Sequence, residues 1–107
     1  MKNRIATPSE TKKILNKYNL QLKHGLGQNF LVDANIIEII ANSADIKGDE
    51  LIIEIGPGIG SLTQQLLEKL KEGSLLAVEK DSEMVEVLKD LFAGNDKLTL
   101  LHEDAVK

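Results

Sequence analysis

The spacing of apolar residues changes near residue 50. Before that point they recur every three or four positions, which places them on one face of a helix. Thr7 fits a helix N-cap, Pro8 the first helical position, and Glu10 would complete a capping box. The apolar face of this first helix would hold Ile14, Leu15 and Tyr18.

A second helix is predicted beyond Gly25 and Gly27, which interrupt the first pattern. Asp33 is suited to cap it, and the segment ANIIEIIANSA follows. On that helix Ile36, Ile37 and Ile40 fall on one face.

From residue 51 onward, short apolar runs alternate with helical patterns. LIIEI (51–55) reads as a continuous buried strand, and LLAVEKD (75–81) and KLTLLHEDA (97–105) as two more. Between them lie two predicted helices, residues 61–73 and 82–94. This order with short connections predicts an α/β fold, a doubly wound parallel sheet built by right-handed crossovers.

Glycines and leucines define the two crossover helices. Gly73 is predicted as the C-cap of the first helix, and Gly94 would close the second. The residues of the first helix predicted to face inward are Leu62, Leu66, Leu67 and Leu70.

The predicted sheet has an unusual edge. A doubly wound sheet ordinarily continues from its first strand in the other direction. Here strand 51–55 would be an unpaired apolar edge, which native proteins avoid. We therefore expect the sequence to be the N-terminal piece of a larger domain, and its exposed edge to favour self-association.

Charge divides the chain of 107 residues unevenly. Residues 1–30 carry a net charge of about +5 and residues 31–107 about −9, within a total of −4. A basic arm of this kind suits a nucleic-acid contact, so a nucleic-acid-binding module without chemistry is one possible function. The chain has no cysteine, which argues against disulfides, and only two histidines, which argues against a metal site. It has no long apolar run, which argues against a membrane span. Together these features favour a cytoplasmic protein.

The loop after strand 51–55 indicates a ligand. Gly56, Gly58 and Gly60 precede a helix, where bare backbone N–H groups can approach a bound molecule. The loop lacks the lysine of a phosphate-binding P-loop, and Ser61 stands where G-x-G-x-x-G needs its last glycine. A dinucleotide is thereby disfavoured without being excluded.

Two acids indicate which ligand. Glu79 ends the second strand, where a carboxylate can accept hydrogen bonds from both hydroxyls of an unphosphorylated ribose. Asp104 ends the third, where it can accept one from an exocyclic amine such as adenine N6. Both lie at strand C-termini, where ligands of parallel sheets bind.

These residues resemble a known family. EIGPGIGSLT resembles motif I of S-adenosylmethionine-dependent methyltransferases, and together with LGQNFL it is similar to the rRNA adenine N6-dimethyltransferases (the KsgA type). The resemblance implies a class I, Rossmann-like methyltransferase sheet of which this chain holds the first three strands. Residues 1–32 would be a basic helical leader, and residues 33–107 the first part of the methyltransferase domain.

The resemblance also implies a site for S-adenosyl-L-methionine. The residues it assigns to cofactor binding are Gln28, Asn29, Leu31, Gly56, Gly58, Glu79, Lys80 and Asp104. It implies no metal. The Asn-Leu-Pro-Tyr motif that holds the target adenine in the family does not occur in this sequence, so no catalytic residue is assigned and the chain alone is expected to be inactive.

The implied substrate is a pair of adjacent adenosines in a hairpin near the 3′ end of 16S rRNA, in immature small ribosomal subunits. Each would be flipped into the site and methylated twice at N6. The related resistance enzymes that methylate large-subunit rRNA are the nearer alternative, although Pro57 and the TPSETKKIL leader are unusual in them. A fragment of an NAD-dependent oxidoreductase is the more distant one.

Overall fold

The structure is a computed structural model that describes residues 3–20 and 34–105. The helices in these ranges are α1 (Pro8–Lys17), α2 (Ala34–Ser43), α3 (Ser61–Lys69) and α4 (Ser82–Leu91). The strands are β1 (Leu51–Ile55), β2 (Ser74–Glu79) and β3 (Leu98–His102). All pairings are parallel, in the order β1-β2-β3, which confirms the predicted α/β sheet.

One face of this sheet carries the core. The register aligns Ile52, Leu75 and Leu98 in one row, and helices α3 and α4 pack against the strands on this side. Two successive right-handed crossovers in the same direction place both helices on the same face. The side chains of Leu66, Leu75 and Leu88 are accordingly buried between the layers.

The opposite face of β1 is exposed. Leu51, Ile53 and Ile55 are 66%, 59% and 59% exposed, and Leu101 on β3 is 43% exposed. The prediction that LIIEI is a fully buried strand was therefore wrong for three of its five residues. Within residues 3–20 and 34–105, β1 pairs only with β2, as the edge-strand prediction required.

Helix α1 begins as predicted, with one difference. The Thr7 hydroxyl accepts a hydrogen bond from the Glu10 amide at 3.2 Å, and Pro8 occupies the first turn. The Glu10 carboxylate does not return to the Thr7 amide, which bonds the Ile5 carbonyl instead. The Glu10 carboxylate instead accepts a hydrogen bond from the Asn3 side chain at 3.1 Å, so only half of the capping box forms.

The side-chain amide of Gln64, which is buried, links α3 to the start of the leader by two hydrogen bonds. Gln64 Oε1 accepts a hydrogen bond from the Ile5 amide at 2.9 Å, and Gln64 Nε2 donates to the Asn3 carbonyl at 2.6 Å. Ile5 and Ile14 are buried in the same apolar cluster as the residues of α3 and α4. The described part of the leader thus shares the core of the sheet.

Two other elements differ from expectation. On α2, Ile37 and Ala41 are buried, whereas Ile40 is 41% exposed because the helix turns a different side to α3. Helix α3 ends at Lys69, and Gly73 is not its cap. A β-carbon on Gly73 would lie 2.1 Å from the Glu50 carbonyl oxygen, so this glycine permits close passage of the chain before β1.

Candidate functional site

The glycine loop leaves open space above its backbone. Gly56 and Gly58 adopt φ values of +68° and +60°, a region that favours glycine. A β-carbon built on either would meet no heavy atom within 4 Å. A ligand could therefore lie directly against this part of the loop.

Gly60 has a different role. A β-carbon there would lie 2.5 Å from Phe92 Cε2 and 2.8 Å from Phe92 Cζ. Gly60 is the N-cap of α3, and the absence of a side chain lets the Phe92 ring at the end of α4 pack against it. A side chain at Gly56 or Gly58 would thus project into open space, whereas one at Gly60 would overlap the Phe92 ring.

Glu79 lies at the C-terminal end of β2 and is only 7% exposed. Its Oε2 accepts a hydrogen bond from the Asp81 amide at 3.0 Å, and its Oε1 a longer one from the Gly58 amide at 3.4 Å. Glu79 thus stands at the predicted strand end, and its carboxylate is adjacent to the glycine loop.

A cavity of about 170 Å³ opens at the C-terminal ends of the strands. Its lining residues come from the ends of all three strands: Ile55, Gly56, Val78, Glu79, Lys80, Glu103, Asp104 and Ala105. The Glu103 amide donates to the Glu79 carbonyl at 3.0 Å, which extends the β2–β3 pairing to the rim of the cavity. Four of the predicted site residues therefore line one cavity, and Gly58 adjoins it through its bond to Glu79.

The charges around the cavity favour a neutral or cationic ligand. Glu79, Glu103 and Asp104 contribute three carboxylates against the single ammonium group of Lys80. The Gly58 amide is directed at a carboxylate rather than at open space. Both features oppose a pyrophosphate, which needs free N–H groups and a positive field.

Glu54 is the acid within the apolar strand LIIEI, directly before the residue that precedes the glycine loop. Its side chain is 9% exposed on the helix-covered side of β1, and its Oε1 accepts a hydrogen bond from the Thr63 hydroxyl at 2.6 Å. Burial raises the pKa of Glu54, and the Thr63 bond opposes that rise only in part. An acid within an apolar strand was the available signal, but its partner nine residues away could not be inferred.

Three of the predicted cofactor-binding residues, Gln28, Asn29 and Leu31, lie outside the described residues, as does the predicted cap Asp33. Among the residues that the structure does describe, no group of acids and histidines is arranged to hold a metal ion. Nor does any helix in residues 3–20 and 34–105 combine the length and apolar character needed to cross a bilayer.

In the described part of the leader, ion pairs with acids of the chain are formed by Arg4, Lys13 and Lys17. Arg4 pairs with Glu68 at 2.6 Å, and Lys17 lies 3.7 Å from Asp90. Tyr18 also hydrogen-bonds Asp90, and this bond together with Lys17 holds the pKa of Asp90 below its usual value. Arg4 and Lys17 thus pair with acids on α3 and α4.

A larger cavity, of about 470 Å³, lies between α3 and the α4–β3 connection. It is lined by residues such as Gln64, Phe92 and Lys97, and it contains none of the predicted site residues. Gly56, Glu79 and Asp104 line the cavity of about 170 Å³ instead.

The family model described as ribosomal RNA adenine dimethylase matches residues 19–107. A ribosomal RNA small subunit methyltransferase A from Halothermothrix orenii is 48% identical over 103 residues, which are 96% of this chain and 34% of that protein. A crystal structure of a dimethyladenosine transferase from Plasmodium falciparum shares 32% identity and a TM-score of 0.61, over 70% of this chain and 27% of that one.

A coclaurine N-methyltransferase solved with N-methylheliamine and SAH is 22% identical, with a TM-score of 0.61 over 96% of this chain and 33% of that one. At this identity the two proteins are similar in fold only. These folds confirm the predicted methyltransferase-type sheet. The chain spans about a third of the length of the curated relative from Halothermothrix orenii. By the match over residues 19–107, the chain belongs to the ribosomal RNA adenine dimethylase family.

Proposed function

We propose that this chain is the cofactor-binding part of an S-adenosylmethionine-dependent rRNA adenine N6-dimethyltransferase. The observation that carries the proposal is the cavity where Gly56, Glu79 and Asp104 meet at the ends of the strands. Membership of the dimethylase family agrees with this ligand.

The residues present fit the cofactor. Glu79 would accept hydrogen bonds from the ribose hydroxyls, and Asp104 one from the adenine amine. The open space above Gly56 and Gly58 would admit the ligand against the backbone. The excess of carboxylates suits a molecule that carries a positive sulfonium and an ammonium group. When bound, S-adenosylmethionine supplies an electrophilic methyl group.

The proposed substrate is the pair of adjacent adenosines near the 3′ end of 16S rRNA in immature small subunits. The relative that is 48% identical is named for the small subunit, which supports this assignment over the large-subunit resistance enzymes. A chimera can test it, with this chain in place of the matching 103 residues of the Halothermothrix orenii protein. We expect N6,N6-dimethyladenosine in 16S rRNA by mass spectrometry, whereas methylation of 23S rRNA alone would contradict the proposal.

Cofactor binding is tested by titrating the 107-residue chain with S-adenosylhomocysteine while recording amide chemical shifts. We expect shifts at Gly56, Gly58, Glu79 and Asp104, and none with NADH. The variant Asp104→Asn should weaken binding, and Asp96→Asn, on the α4–β3 connection, serves as its control. Shifts with NADH alone would instead support the oxidoreductase alternative, and no shift with either ligand would contradict binding by this chain.

A further inference from the structure

The amide of Gly58 is held differently from those of the other two loop glycines. The Gly56 amide donates to the Val78 carbonyl at 2.9 Å, and the Gly60 amide to the Pro57 carbonyl at 3.0 Å. The Gly58 amide donates to a side chain, the carboxylate of Glu79. The Gly58 amide is therefore connected to the sheet through a side chain rather than through a backbone carbonyl.

The same carboxylate also holds a second loop. Its other oxygen accepts the Asp81 amide, in the connection between β2 and α4. Glu79 thus joins the β1–α3 loop and the β2–α4 connection, one oxygen to each. At 7% exposure its bonds face little competition from water.

The carboxylate has capacity for both backbone and ligand. Two carboxylate oxygens offer about four acceptor positions. The two amides use two of them, which leaves two for the two hydroxyls of a ribose. A bound ribose therefore need not displace either loop.

From this geometry we infer that Glu79 is a positioning residue that holds Gly58 and the glycine loop in place before any ligand arrives. The inference rests on the proposed function, in which this loop receives the cofactor. It adds to ribose binding a task that Glu79 performs in the free chain.

Substitutions can separate the two tasks. In Glu79→Asp the charge remains, but the side chain is shorter by one methylene, and the longer Gly58 bond is the first to be lost. In Glu79→Gln a single oxygen remains, and the amide NH₂ group would face an N–H donor. Glu103→Gln removes a negative charge from the same cavity without touching the Gly58 bond, so it controls for the electrostatic field.

The experiment is amide hydrogen exchange of the 107-residue chain without ligand. In Glu79→Asp and Glu79→Gln we expect the Gly58 amide to exchange roughly tenfold faster than in the unmodified chain, because a bond to a charged group is lost. The amides of Gly56 and Gly60 should keep their rates, which shows that the variants remain folded. Glu103→Gln should leave the Gly58 rate within about twofold of the unmodified chain.

An unchanged Gly58 exchange rate in both Glu79 variants would overturn the inference. This holds even if both variants bind S-adenosylhomocysteine poorly, because a lost contact with the ribose would then explain the weaker binding. Faster exchange at all three glycines would also overturn it, because Glu79 would then support the fold in general. If the unmodified chain fails to bind S-adenosylhomocysteine, the proposed function fails while the exchange result still decides the role of Glu79.

Discussion

Gly58 and Gly94 share a backbone conformation but occupy different places. Their φ values are +60° and +85°, and a β-carbon on either would meet no atom within 4 Å. Gly58 adjoins the strand-end cavity, whereas Gly94 lies in the connection after α4. The pair therefore separates the cost of backbone strain from the loss of space for a ligand.

We predict that Gly58→Ala and Gly94→Ala each lower the free energy of unfolding by about 1–2 kcal/mol, the cost of a left-handed alanine. Only Gly58→Ala should also weaken binding of S-adenosylhomocysteine. Chemical denaturation and calorimetric titration of both variants measure the two effects. Equal affinities for the ligand in the two variants would contradict a site at Gly58.

Glu54 provides a prediction about pH. Because its pKa in the folded chain is raised above the ordinary value near 4.5, the folded state holds more protons than the unfolded state between these two pKa values. The free energy of unfolding should therefore fall as the pH rises through the raised pKa.

Glu54→Gln keeps an acceptor for the Thr63 hydroxyl and cannot ionise. We expect it to lack this pH dependence and to exceed the unmodified chain in thermal midpoint at pH 8. Denaturation of both proteins from pH 4.5 to 8 makes the comparison. Parallel stability curves would show that Glu54 does not carry the effect.

At the scale of elements, the approach of α3 to α4 depends on the contact between Gly60 and Phe92. We predict that Gly60→Ala destabilises the chain by roughly 2–4 kcal/mol, more than Gly94→Ala, because the added methyl would overlap the ring. Phe92→Leu should recover part of this loss in the double variant. A double-mutant cycle from urea denaturation gives the coupling, and strict additivity would rule out the contact as the cause.

The order of elements could be predicted because each depends on neighbouring residues. Thr7 and Pro8 mark a helix start locally, and the change from helical to strand spacing near residue 50 is local too. The contacts of Gly73 with Glu50 and of Gly60 with Phe92 join residues more than twenty positions apart, so no local pattern contained them. The same holds for β1, since its sequence shows that Ile53 is apolar but not whether anything covers it.

At the scale of the whole molecule, the structure differs most from the sequence-based prediction at β1. This strand was predicted to be buried, but one of its faces is exposed. Within residues 3–20 and 34–105, one edge of β1 has no partner strand, and its N–H and C=O groups could pair with another chain beside the exposed Leu51, Ile53 and Ile55. We propose that copies of the 107-residue chain associate along this edge.

We predict that Ile53→Lys reduces self-association while changing the free energy of unfolding by less than about 1 kcal/mol, because the side chain is already 59% exposed. Thr99→Lys is its matched control. Thr99 lies on β3 in the same row across the sheet, through Leu76, and receives the same charge. Sedimentation velocity at several concentrations should show fewer dimers only for Ile53→Lys, and a monomer at all concentrations in the unmodified chain would contradict the proposal.

The position of Gln64 has a mechanical consequence. Gln64 lies one turn inside α3, and the first residue of α3 directly follows the glycine loop. The side-chain amide of Gln64 hydrogen-bonds the backbone of Asn3 and Ile5. Because backbone hydrogen bonds hold the nine residues of α3 together, we expect a displacement of its loop end to be carried to Asn3 and Ile5. Asn3 and Ile5 are thus attached to the same helix that follows the glycine loop.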